Sequence, residues 1–139
     1  MQKVDAEKLE SIIARYKELT QLLLASAHIA FDERLRGALP VEGGVYRVFE
    51  IGANWQDSVY IGKSTNLQNR IYHDHLMGNR QASTLKKKLI ANGLFPDENA
   101  VKQYLRQKCL VQFVVIQDDA ERTSFEHFAV AVLRPKYND

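Results

Sequence analysis

At 139 residues, 45% hydrophobic and 26% charged, the chain suits one compact domain with a helical attachment, which excludes disordered and fibrous classes. Its formal net charge of +2 selects no partner, and no stretch approaches the roughly 20 apolar residues of a membrane span, so no membrane partner is expected. The start, Met1-Gln2-Lys3-Val4-Asp5-Ala6-Glu7, lacks the apolar segment of a secretion signal, and a single cysteine, Cys109, excludes an internal disulfide, so a cytoplasmic protein is expected.

In chain order, residues 5–27 predict an amphipathic helix, with Leu9, Ile12, Ile13, Tyr16, Leu19 and Leu23 near one stripe. Leu22-Leu23-Leu24 widens that stripe, so the helix must bury against the domain or against a second subunit. Pro40 and Gly43-Gly44 mark a loop, after which Val45–Ile51, rich in β-branched and aromatic residues, predicts a strand. A turn at Gly52-Ala53-Asn54 separates it from Ser58–Gly62, close enough to pair as a hairpin.

Thr65 and Gln68 have capping-box spacing and predict a helix running to about Met77. Further helices are predicted from Ser83 or Thr84 to Ala91, closed by Asn92-Gly93, and from Asp97 to Lys108. Leu110–Ile116 is the clearest strand, apolar enough to be central, and Cys109 at its start reads as a small buried hydrophobe. Asp118 or Asp119 caps a last helix to about Arg134, which Pro135 stops. The expected fold class is α+β, a small three-stranded, mainly antiparallel sheet flanked by helices. Residues 1–40 form an N-terminal helical extension to a domain over 41–139.

The basic charge is concentrated centrally. Residues 61–90 carry Lys63, Arg70, Arg80, Lys86, Lys87 and Lys88 against Asp74 alone, whereas 1–60 and 91–139 are each slightly acidic. Such a field draws polyanions without identifying them, and a solvated helix face gives the same pattern. Successive lysines cannot all face one way, so one or two of the Lys86-Lys87-Lys88 run would touch phosphates, adding affinity that falls with salt.

One ordered set carries the chemistry: Gly44-Val45-Tyr46, then Val59-Tyr60-Ile61-Gly62-Lys63, Asn66-Leu67, Arg70, Glu126 and Pro135-Lys136-Tyr137-Asn138. In order and rough spacing the set resembles the GIY-YIG nuclease superfamily, over about two-thirds of the chain, with valine for isoleucine in the first tripeptide. The residues also read physically. Paired strands bring two phenols, Tyr46 and Tyr60, to one side of a hairpin, although a buried tyrosine is often only a core ring. Gly62 permits close backbone approach, and Lys63 adds a cation there. Arg70 offers a planar fork for phosphate or half of an ion pair with Asp74 at i+4. Glu126 falls at the rim of the apolar stripe Phe125, Phe128, Ala129, Val132 and Leu133, where it must find a cation, either a basic side chain or Mg²⁺.

The resemblance implies a DNA endonuclease. Tyr46 is then the general base, helped by Tyr60 and Lys63, and Arg70 offsets phosphoryl charge. Glu126 holds Mg²⁺ (or Mn²⁺), and Asn138 supports the site. A phenol with pKa near 10 needs surroundings that lower it, with Lys63 as one group that can help. Many members carry histidine four residues after the arginine, whereas this chain has Asp74, flanked by His73 and His75. On an α-helix His73 lies about 60° from Arg70 and His75 about 140°, which favours His73 as the substitute. Nucleic-acid contacts are expected at Lys63, Arg70, Arg80, Lys86 and Lys87. DNA is the expected partner and a small-molecule substrate is not; the protein is a monomer or a homodimer through the N-terminal helix. The competing readings are a non-cleaving DNA- or RNA-binding module of the same fold and an interaction protein built on that helix.

Overall fold

A computed structural model describes residues 2–138. Helix α1, Ala6–Ala25, starts where the Asp5 side chain accepts from the Lys8 N–H, a cap that contributes about 1 kcal/mol. Only its C-terminal half reaches the core: Leu19 and Leu23 are buried, each contributing roughly 1.5–3 kcal/mol. Leu9, Ile12 and Ile13 remain exposed. Strand β1, Ile29–Ala30, and the single-turn helix α2, Leu35–Ala38, follow, then β2, Gly44–Glu50, and β3, Tyr60–Ser64.

A π-helix over Asn69–Leu76 comes next, then α3, Thr84–Ala91, α4, Glu98–Lys108, β4, Cys109–Val115, and α5, Asp119–Leu133. Each of the last three helices opens on the expected kind of cap, Ser83, Asp97 and Asp118. Gly93, at φ +74°, turns the chain after α3. No helix among the described residues is long and apolar enough to cross a membrane.

The strands form one antiparallel sheet in the order β1-β4-β2-β3, with β2 and β4 central. Among the described residues the expected three strands are therefore four. β1 pairs through only Ile29↔Val111 and Ala30↔Leu110, too short to show a two-residue period in sequence. Phe31, Leu35 and Leu39, just beyond it, are buried in the core.

Side-chain alternation along β2 splits that core between the two faces of the sheet. Tyr46 and Val48 pack with Ile71, Leu85 and Leu105 from the π-helix, α3 and α4. Val45 and Ile61 pack with Leu19, Leu23 and Phe125 from α1 and α5. On the second face Arg47 is buried as a staple, donating to Ser58 Oγ, Gln112 Oε1 and the carbonyls of Asn54, Trp55 and Asp57. The hairpin turn is thereby fixed, and β3 with it.

Candidate active site

The β2–β3 register sets Tyr46 opposite Gly62 and Val48 opposite Tyr60. Both phenol rings rise on the face toward the π-helix, with centroids 6.2 Å apart. A Cβ at residue 62 would overlap the Tyr46 hydroxyl. Glycine at this place lets the phenol lie across β3 toward the open edge of the sheet. At that edge the C-terminal tail runs beside β3, its Lys136 and Tyr137 N–H groups donating to the carbonyls of Ser58 and Val59. Asn138 closes the seam: its Oδ1 accepts from the Ile61 N–H at 3.0 Å, and its Nδ2 donates to the Ile61 carbonyl.

The π-helix supplies the next layer. Its start differs from the expected capping box, since Asn66 Oδ1 receives the Asn69 N–H while Gln68 reaches away to the carbonyls of Arg36 and Leu39. Arg70 donates to Asp74 Oδ2 at 3.2 Å, to the Ala82 carbonyl at 3.1 Å and to Thr84 Oγ1 at 3.0 Å. Thr84 Oγ1 also lies 2.7 Å from Tyr60 Oη. The ion pair with Asp74 and a place beside the tyrosines, posed as alternatives by the sequence, are both present.

The two histidines that flank Asp74 are placed unlike the α-helical expectation. His73 is exposed, its ring against Tyr72, whereas His75 is fully buried with Nε2 2.5 Å from Tyr46 Oη and Nδ1 2.7 Å from Ser83 Oγ. The α-helical spacing of 100° per residue does not apply here. A π-helix bonds i to i+5, as Met77 N–H does to the Tyr72 carbonyl, and so brings His75, five residues on, to the side of Arg70. The rings of Tyr46, Tyr60 and His75 form a triangle, with His75 5.5 Å and 5.7 Å from the two tyrosines.

Electrostatics also departs from expectation. Burial, then the neighbouring Tyr60, hold the Tyr46 phenol well above its ordinary pKa, and Arg70, in place of Lys63, is the cation that opposes them. Lys63 instead spans to α5, donating to Thr123 Oγ1 at 2.9 Å. Burial, reinforced by Arg70 and Lys86, pushes His75 well below its ordinary value, so the imidazole is neutral. A neutral imidazole donates from one ring nitrogen and accepts at the other, so a Tyr46 hydroxyl that donates to Nε2 goes with an Nδ1–H that donates to Ser83 Oγ.

Glu126 lies on α5 with its side chain only 18% exposed, near enough to Tyr46 to raise the phenol's pKa further. Its ionic neighbour among the described residues is the exposed His127, at 3.8 Å. No group of three His, Cys, Asp or Glu gathers among the described residues. A lone carboxylate with a weak partner does not make a protein cage. It fits Mg²⁺, which keeps most of its waters and takes one or two carboxylates plus a substrate phosphate. The stripe beside it is narrower than expected, for Val132 is 49% exposed.

The basic segment divides. Lys86 is corrected as a nucleic-acid contact: it is 1% exposed, and its ammonium donates to the carbonyls of Leu76 and Gly78, closing the end of the π-helix. Burial lowers its pKa to about 8. Arg80 is exposed but engaged in a two-pronged pair with Glu98, at 3.2 and 2.9 Å. Lys87 faces solvent. The run Ser83–Lys88, expected to hold the substrate backbone, turns its two hydroxyls inward, Ser83 to His75 and Thr84 to Tyr60 and Arg70, tertiary contacts that no local pattern shows.

The chain is thus an α+β module in which a hairpin carries two phenols beside an arginine and a glutamate borne on α5. The GIY-YIG catalytic domain family matches residues 42–138, and the chain belongs to the GIY-YIG family. No curated protein matches the chain. Among solved structures it is similar to the GIY-YIG N-terminal endonuclease domain of UvrC from Thermotoga maritima. A point mutant of that domain bound to its catalytic divalent cation is 22% identical, with TM-score 0.50, covering 78% of this chain and 99% of that one. A second point mutant, also cation-bound, gives 22% and 0.50 with 98% of its length covered. The magnesium-bound form gives 23% and 0.45.

Proposed function

We propose that the protein is a divalent-metal-dependent DNA endonuclease in which Tyr46 and His75 together take the proton of the attacking water. The observation that carries this reading is the bond between the buried Tyr46 hydroxyl and the neutral His75. A phenol held above its ordinary pKa is a poor base alone. With His75 behind it, Tyr46 accepts a proton from water as it hands its own to Nε2, and no free phenolate accumulates.

Substrate binding strengthens this base. Arg70 is one of the groups that lower the basicity of His75 and of the phenolate. When its guanidinium pairs with the scissile phosphate, part of that field is neutralised and both groups hold a proton more readily. Arg70 also offsets the equatorial charge of the transition state. Tyr60 sits beside Tyr46 on the π-helix face of the hairpin, Lys63 reaches from the opposite face to Thr123 on α5, and Asn138 keeps β3 in place at Ile61. Glu126 would hold Mg²⁺ or Mn²⁺, which supplies Lewis-acid stabilisation of the leaving oxygen.

Residues 1–40 serve as an extension to the nuclease domain of 41–139, and Lys87 with Lys63 contacts the DNA backbone. The protein acts in a reducing cytoplasm, as monomer or as homodimer through α1. Supercoiled plasmid with Mg²⁺ or EDTA tests the reading. The wild type nicks or linearises it only with metal, and Glu126→Ala loses about a thousandfold in rate while still binding. Binding without cleavage by the wild type would establish the non-cleaving module instead.

A further inference from the structure

We infer that the first turn of α3 belongs to the catalytic apparatus, with Thr84 and Ser83 as positioning residues for the two tyrosines. Neighbours in sequence, they serve different partners. Thr84 Oγ1 bridges Tyr60 Oη, at 2.7 Å, and Arg70 Nη2, at 3.0 Å. Ser83 Oγ lies 2.7 Å from His75 Nδ1, and His75 Nε2 meets Tyr46. The carbonyl of Ala82, one residue earlier, takes the other arm of Arg70. Three successive residues thus fix the arginine, one tyrosine directly and the other through the imidazole.

The arrangement exceeds what a helix start requires. Ser83 alone caps α3, accepting the Lys86 N–H at 3.0 Å, and Thr84 makes no capping bond. Thr84 is solvent-exposed, so its hydroxyl fills no core space. Its bonds go across the chain to residues 24 and 14 positions away. Arg70 contributes to phosphate binding only if its fork is held at the phosphate's angle, and Thr84 holds one prong beside Tyr60. Ser83 as acceptor for Nδ1–H keeps Nε2 free for the Tyr46 proton, the tautomer the relay needs. Lys86, buried in the same turn, ties α3 to the end of the π-helix through the carbonyls of Leu76 and Gly78 and holds both parts together.

This inference rests on the endonuclease reading, and two readouts keep the two separable. The first is single-turnover plasmid cleavage with Mg²⁺ by the full chain carrying Thr84→Val or Thr84→Ser. The valine variant keeps shape and loses the hydroxyl, so its maximal rate should fall about tenfold to a hundredfold with half-saturation within about twofold, and serine should restore it. The second is the nitrogen-15 NMR signature of the His75 tautomer, which needs no cleavage. The wild type should carry the proton on Nδ1, and Ser83→Ala should shift that population, whereas Ser83→Thr should retain it.

An active Thr84→Val variant, or one that serine does not rescue, overturns the role of Thr84. A proton on Nε2 in the wild type, or an unchanged tautomer in Ser83→Ala, overturns that of Ser83. A wild type that never cleaves, yet shows the expected tautomer shift, overturns the endonuclease reading and leaves the Ser83 contact standing.

Discussion

Two helices bring ionisable groups to the site, and they treat them oppositely. Helix α5 carries Glu126 at the rim of an amphipathic surface, where its carboxylate keeps some contact with solvent. The π-helix carries His75 into the core, sealed between Tyr46 and Ser83. A rim carboxylate suits a ligand that arrives hydrated, because Mg²⁺ gives up its waters reluctantly. A sealed imidazole suits a proton, which passes along hydrogen bonds without a path for water. Under the proposed mechanism the metal would fall to α5 and the proton to the π-helix.

That contrast is most easily broken at His75. The change His75→Gln keeps polar atoms for Tyr46 and Ser83 but removes the titratable acceptor, and general-base contributions are typically about 10²–10⁴-fold. Cleavage by His75→Gln should therefore fall at least about a hundredfold, whereas His73→Gln, altering an exposed ring, should stay within about twofold. Equal losses in the two variants would show that proton handling does not depend on the buried ring. Arg70→Lys follows in size. It keeps the charge but cannot reach Asp74, the Ala82 carbonyl and Thr84 together, and should cost roughly tenfold to a hundredfold in rate. A lysine variant at full rate would reduce Arg70 to a point charge.

The same contrast governs how much was legible in the sequence. Glu126 was placed at the rim of its helix correctly because α5 is wound as periodicity assumes. His75 was set aside by the same arithmetic because the π-helix is not. The winding is held by contacts distant in sequence, Tyr46 to His75 and Lys86 to the Leu76 and Gly78 carbonyls, and these leave no local signal. Lys86 misled for a related reason. In a run of three lysines the buried one is chosen by what packs above it, and composition cannot show which. The hairpin, the caps at Ser83, Asp97 and Asp118, and the central place of β4 were legible, being set by local pattern.

Burial of His75 also fixes a pH dependence of stability. Its folded-state pKa lies well below that of the unfolded chain, near 6.5, chiefly through burial. The unfolded chain therefore takes up a proton first as pH falls. The associated stability is present in full above about pH 6.5 and is lost on acidification toward the folded-state pKa, at up to about 1.4 kcal/mol per pH unit. Urea unfolding at pH 7 and pH 5.5 should show the wild type losing roughly 1 kcal/mol more than His75→Gln. A parallel loss in both would mean the ring is protonated in the folded protein.

The smallest effects belong to the basic surface, where a second contrast separates Lys87 from Arg80. Both are exposed, but Arg80 is clasped by Glu98, and the guanidinium holds that carboxyl far below its usual range. A cation already paired releases few counterions when a phosphate approaches, whereas a solvated lysine contributes fully. Lys87→Ala should lower the slope of log affinity against log salt by about one, with cleavage of bound DNA unchanged, and Arg80→Ala should leave the slope nearly as it is. Glu98→Gln sharpens the point, since it frees Arg80 and should steepen the slope if that side chain faces the duplex. A flat response to Glu98→Gln together with a flat response to Lys87→Ala would move the DNA track off α3 altogether, toward Lys63 and the tail along β3.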